Sequence, residues 1–233
     1  MRVCTIVIPV YNEGSSLFHL IEKVSKIDDN RFEFLFVDNG STDEAVKELL
    51  NKKSSKHRSV RTENNLGFGG GILYGLDFCT TDYIGWMPGN LKVDPVEFVN
   101  LLKNTDLAKY QMIKARRVNR DRKATLKTFI LGVVQSAILS KNMLDSGGTP
   151  TICRKDFIKS LRSAPKDYVF ESYILFQARK REYKIFRPKL SYRKRIYGSS
   201  HWQRGFLSEM RLTGAILLGS LRWRFEDNDN FNH

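Results

Sequence analysis

CTIVIPVYNE (residues 4–13) and FEFLFVDNGSTD (residues 32–43) are two short apolar runs, each ending at a polar turn that carries carboxylates. An unbroken β-branched and aromatic run is the pattern of a strand buried on both faces. A helix-like stretch follows each, over 15–27 and 42–52. This β-α-β-α opening predicts a parallel sheet with right-handed crossovers. Ligands of such sheets sit beyond the carboxyl ends of the strands, where Tyr11, Glu13, Asp38 and Asp43 fall.

The 233 residues suit one large domain, or one domain with an appendage. A hydrophobic content of 41% supplies a core, and 12% aromatic residues argue against disorder. The formal net charge of +14 selects anionic partners: nucleic acid, acidic lipid or a phosphorylated substrate. Acids and bases nearly balance up to Pro95, whereas Lys and Arg dominate from Lys103 to Arg224. Cys4, Cys79 and Cys153 show no paired spacing, which predicts free thiols in a reducing compartment. No secretory signal precedes the first strand, and no run reaches the roughly 18 apolar residues of a membrane span. The expectation is a cytoplasmic protein, soluble or peripheral at the inner face of the cell membrane.

Further along, SVRTENN (59–65) reads as a strand, and LGFGGGILYGLDFC (66–79) as a glycine-rich turn running into a helix. DYIGWMP (82–88) is a fourth strand, and Asp94-Pro95 starts a helix over 96–103. QMIKARR (111–117) reads as one strand, 124–142 as a helix flanked by basic residues, and TICRKDF (151–157) as a short strand into a turn. A helix over 168–181, an extended stretch over 183–195, a loop IYGSSHW (196–202) and a last helix over 203–225 complete the pattern. The last helix carries the apolar stripe Phe206, Met210, Leu217 and Leu221, ahead of a polar tail over 226–233. Residues 1–202 are thus expected to form the main domain.

Five motifs, IVIPVYNE, VDNGSTD, NLGFGGGILYG, WMPGNLKVDP and RIYGSS, occur in the order and spacing of family 2 glycosyltransferases. The chain resembles that family over about residues 3–202, most of all the dolichyl-phosphate mannose synthase type. The resemblance implies a GT-A fold, an α/β architecture with a Rossmann-like, mostly parallel sheet flanked by helices, here with a basic C-terminal helix. It also implies that Pro9, Tyr11 and Glu13 frame the base and ribose of a nucleotide, with Asp38 accepting hydrogen bonds from it. Thr42 and Asp43 are read as caps of the next helix, and Asn39 replaces a second acid that the family usually carries. In NLGFGGGILYG, Asn65, Gly67, Gly69, Gly71 and Gly75 match the family's spacing. The turn at Gly67 and Gly69 brings backbone near the nucleotide, and the helix glycines permit close packing on the sheet.

The departure is at Pro88-Gly89-Asn90, where the family has Asp-x-Asp holding a divalent cation against the donor diphosphate. Mg²⁺ or Mn²⁺ prefers anionic oxygen, so this cofactor is in doubt. Three readings stand: metal-independent catalysis aided by Lys92 and arginines, a weak metal site using Asn90 and Asp94, or a catalytically degenerate nucleotide-binding scaffold. Asp94 also reads as a helix N-cap. On the acceptor side, Glu171 resembles the family's base, or serves as a first-turn acid of its helix; Asp145 is the other carboxylate candidate. Arg116, Arg195, Ser200 and His201 are expected at the diphosphate and acceptor.

The resulting expectation is an inverting transferase that moves a sugar from a UDP-, GDP- or dTDP-linked donor to a polyprenyl phosphate or lipid-linked glycan in envelope polysaccharide synthesis. Basic-edged apolar helices predict contact with an anionic membrane surface. No nucleic-acid motif accompanies the charge, so no nucleic-acid partner is expected.

Overall fold

Alternation along the first two strands decides which helices lie on which face. Ile6 and Ile8 of strand β1 (Cys4–Val10) join Phe34 and Phe36 of β2 (Phe32–Asp38) in one buried cluster, while Val7, Leu35 and Val37 belong to another. Successive side chains on a strand point to opposite faces, so a run apolar at every position must be covered on both sides. Helices α1 (Gly14–Ser25), α2 (Glu44–Asn51) and α4 (Pro95–Leu101) cover the first face through Leu17, Leu20, Val46 and Phe98. Helix α3 (Gly67–Leu76) covers the second, with α6 (Lys155–Lys159), α7 (Phe170–Lys180), the end of α5 (Arg122–Leu139) and α8 (Phe206–Glu226). The computed structural model describes residues 2–51, 54, 56–161, 163–194 and 206–226.

The main sheet has seven strands in the order β3 (His57–Arg61), β2, β1, β4 (Tyr83–Trp86), β7 (Thr151–Arg154), β5 (Met112–Lys114) and β8 (Ile185–Phe186). β1, β2, β3 and β4 are parallel, as the opening predicts. β7 runs antiparallel to β4 and to β5, and β5 pairs parallel with β8. The stretch 111–117, expected as one strand, is two. The buried Ala115 donates its N–H to Pro150, and the chain then leaves the main sheet as β6 (Arg116–Val118), paired with β9 (Lys189–Ser191). The extended stretch 183–195 divides likewise into β8 and β9. The turn expected after TICR is the short helix α6.

α8 packs on α5 and α7 rather than standing apart. Ile216 and Trp223 are buried, Trp223 lies against the rings of Tyr173 and Phe176, and Gln135 donates to Ser220 at 3.1 Å. A buried amide satisfied across two helices fixes their register.

Candidate functional site

The turns after β1 and β2 hold each other. Asn12, in the left-handed region at φ 52°, accepts the N–H groups of Thr42 (2.9 Å) and Asp43 (3.2 Å) through Oδ1. Asp43 accepts from Ala45 N (2.9 Å), which caps α2 as expected, and from Gly14 N at the start of α1 (3.1 Å). Thr42 instead directs its hydroxyl to Asn12. This mutual capping sets the backbone on which Tyr11 and Glu13 sit.

Asn39 organises the third turn. Its Nδ2 donates to Gly67 O (2.9 Å) and Asn65 Oδ1 (3.1 Å), and its Oδ1 accepts from Leu66 N (3.1 Å). The amide donates twice and accepts once here, whereas an ionised acid only accepts and could not reproduce this set. The substitution of amide for acid, read from the sequence as a mild departure, has a structural use.

These turns frame a cleft of about 550 Å³ at the carboxyl ends of β1, β2 and β4, a size suited to a small-molecule ligand. Pro9, Tyr11, Glu13, Gly67 and Asn90 line it together, with Asn39, Phe68 and Pro88. Phe68 and Tyr168 stack at 4.7 Å in the wall, and Ser208, Arg211, Leu212 and Ala215 of α8 line the cleft as well. Asp167, Tyr168, Ser208 and Arg211 were not read as site residues from the sequence. They come from a loop and a helix that reach the cleft only through tertiary packing.

Several expected residues lie elsewhere. Asp38 is not in the cleft wall: its carboxylate pairs with Arg61 and accepts from Ser41 N at 2.9 Å, beside a separate hollow. Gly69 is not among the residues that line the cleft, and a Cβ there would fall 2.5 Å from Pro165 O and 2.8 Å from Phe170 Cβ. It is a packing glycine, as is Gly75 against Val7 and Val37. Lys92 lies with Arg117 and Arg120 around the Tyr192 ring, at 5.9, 5.5 and 5.7 Å from its centroid. Arg116 is exposed on β6. Asp145 accepts from Arg117 N (2.8 Å) and Nε (2.7 Å), which occupies the carboxylate. Glu171 is 2% exposed and away from the cleft; it accepts from Trp86 Nε1 at 2.6 Å and pairs with Lys114, itself fully buried. Burial pushes the Lys114 ammonium below its ordinary range, and Glu171 opposes that shift. Arg195, Ser200 and His201 lie outside the described residues.

A divalent ion does not fit the residues present at 88–94. Asn90 Oδ1 accepts the N–H of Lys92 at 3.2 Å. Asp94 caps α4 through Val96 N (3.0 Å) and pairs with Lys23 (2.7 Å) in a different hollow. Burial alone would raise the Asp94 carboxyl, but Lys23 and the Val96 N–H outweigh it and hold the group below the usual range. Among the described residues no three His, Cys, Asp or Glu side chains gather to hold a metal.

Comparison with known proteins gives a consistent likeness. The model of glycosyl transferase family 2 matches residues 5–164. Undecaprenyl-phosphate 4-deoxy-4-formamido-L-arabinose transferase of Pseudomonas syringae pv. syringae (strain B728a) is 29% identical over 126 residues, covering 52% of this chain and 37% of that protein. The enzyme of that name from Pseudomonas savastanoi pv. phaseolicola (strain 1448A / Race 6) is 30% identical with the same coverage. The chain thus spans little more than a third of the length of these relatives. Among solved structures, glucosyl-3-phosphoglycerate synthase from Mycobacterium tuberculosis, in complex with Mn²⁺, UDP-glucose and phosphoglyceric acid, superposes with a TM-score of 0.73 at 19% identity, over 96% of this chain and 79% of that one. Its complex with Mn²⁺, UDP and glucosyl-3-phosphoglycerate gives 0.72 at 19%, over 96% and 80%. At these identities the likeness speaks for the fold.

Proposed function

The chain belongs to glycosyl transferase family 2 and has the GT-A fold, and from that premise we propose that it transfers a sugar, with inversion, from a nucleotide sugar to a polyprenyl phosphate or lipid-linked glycan in cell-envelope polysaccharide synthesis. The observation that carries the proposal is the cleft at the strand ends, where the Pro9–Glu13 turn, Gly67 and Asn90 meet. The Tyr11 ring offers a face to a base, and Glu13 offers acceptors to ribose hydroxyls. The acceptor oxygen attacks the anomeric carbon from the face opposite the diphosphate. The carbon–oxygen bond to the nucleoside diphosphate breaks, and the diphosphate leaves with the electron pair. A phosphate acceptor is already anionic, so transfer to it needs no general base, in keeping with carboxylates of Asp145 and Glu171 that are engaged elsewhere, whereas a glycan hydroxyl would give up its proton to water. Arg195, Ser200 and His201 are assigned to the diphosphate and acceptor on the family motif alone.

The named relatives act on undecaprenyl phosphate and the structural neighbours bind UDP, which supports those two chemistries first. Titration with UDP-, GDP- and dTDP-sugars should give saturable binding of one class, and turnover once polyprenyl phosphate is added. Binding of none would sink the donor assignment. Binding without turnover on any lipid acceptor would favour the second reading, a nucleotide-binding scaffold, which rests on the missing acids at 88–90.

Among the described residues no helix is long and apolar enough to cross a membrane. The outer face of α5 nevertheless presents Leu126, Phe129, Ile130 and Val133 at helical spacing, each about half exposed, beside Arg122 and Lys123. An apolar stripe with a basic edge suits the surface of an anionic bilayer. Phe129→Glu should reduce sedimentation with phosphatidylglycerol vesicles by roughly tenfold. Equal binding of the wild type to neutral phosphatidylcholine vesicles would remove the electrostatic part of this assignment.

A further inference from the structure

The α8 part of the cleft lining, which carries a single cation, comes from outside the matched family region. Ser208, Arg211, Leu212 and Ala215 stand at i, i+3, i+4 and i+7 of α8, so one helix face is turned to the cleft. The same cleft is lined by Pro88, Gly89 and Asn90 at the end of β4. Among the described residues of the lining Arg211 is the one basic side chain, and the two acids there are Glu13 and Asp167. No hydrogen bond or ion pair engages Arg211 among the described residues. The helix that carries it is held in place: Lys127 of α5 pairs with Glu209 at 2.8 Å, and Ile216, Ser220 and Trp223 are buried.

Resting on the reading of the cleft as a donor site, we propose that Arg211 is the cation that receives the donor diphosphate. It would do so in place of the divalent ion that residues 88–94 do not fit. A guanidinium presents its N–H groups in a fixed fork that matches two phosphate oxygens. A fixed positive charge beside the leaving group offsets the negative charge that builds on it as the glycosidic bond breaks. The arrangement also makes the site depend on α8: a cation mounted on the last helix reaches the diphosphate only when that helix is docked on α5 and α7.

Calorimetry in EDTA compares the tightest-binding of UDP, GDP and dTDP with its own monophosphate and nucleoside. The wild type should keep its diphosphate affinity in EDTA. Arg211→Gln should weaken the diphosphate by roughly 10- to 100-fold, the range expected for losing hydrogen bonds to a charged group, while nucleoside affinity stays within about twofold. Arg211→Lys should recover part of the loss. Unchanged diphosphate binding by Arg211→Gln overturns the proposal, as does an equal loss for nucleoside and diphosphate, or wild-type binding that EDTA abolishes. If the wild type binds no nucleotide at all, the donor reading of the cleft falls together with this one. Binding by the wild type and Arg211→Gln alike removes Arg211 only.

Discussion

Glu171→Leu should cost about 3–5 kcal/mol of folding stability, because it strands the Lys114 ammonium in a fully buried site. With the carboxylate gone, burial of the Lys114 ammonium loses its main opposing charge, Trp86 Nε1 loses its acceptor, and Lys114 Nζ keeps only the Thr151 hydroxyl. The double variant Lys114→Met/Glu171→Leu should recover most of the loss, since a buried pair replaced by apolar groups of similar volume is often neutral. Urea denaturation of the wild type, the single variants Glu171→Leu and Lys114→Met, and the double variant measures this directly. A folded Glu171→Leu with wild-type stability and abolished turnover would instead restore the general-base role that the sequence suggested. The non-additivity of the pair is the decisive quantity.

Gly148→Ala should be the most damaging of the loop substitutions. A Cβ at Gly148 would lie 2.2 Å from the carbonyl oxygen of Ala115, and that backbone is pinned because Ala115 N donates to Pro150 at 2.9 Å. Backbone cannot swing aside as a flexible side chain does, so the loop must shift. A loss of about 3 kcal/mol is the expected scale for such overpacking. The shift would also disturb Asp145, which orders Arg117 through two hydrogen bonds and accepts from Arg187 at its carbonyl. Gly147→Ala is the matched control: its Cβ would meet only the Arg117 guanidinium, at 3.4 Å, and stability should stay within about 0.5 kcal/mol. Equal melting temperatures for the two variants would contradict the packing argument.

The parallel half of the fold was legible because buried parallel strands need apolar residues at every position, and CTIVIPV and FEFLFVD have them. The turn residues were legible for a related reason, since a strand end fixes where its next residues point. Charge partners were not. Glu171 read as the family's base or a helix-opening acid, yet its mate is Lys114, 57 residues earlier on a stretch read only as a strand. Lys92 read as a neighbour of the phosphate site, but it is drawn to Tyr192 on a strand end a hundred residues later. Arg211 reads from the sequence as one more basic residue on a basic helix. Only the packing of α8 on α5 turns it toward the cleft. Local pattern specifies elements and strand ends; the pairing of distant charges depends on topology that local pattern does not carry.

The Asp38–Arg61 pair shows what that means for reading relatives of this chain. The parallel register sets the two residues side by side at the ends of β2 and β3, and the carboxylate is engaged there rather than in the cleft. An acid that meets a ligand is constrained by that ligand, whatever stands at position 61. An acid that neutralises a neighbouring guanidinium is constrained by the neighbour, and either residue changed alone leaves an unmatched charge. Positions 38 and 61 are therefore expected to be exchanged together as one evolutionary character, so that an acid at 38 is read with its partner at 61 before it is assigned to a nucleotide.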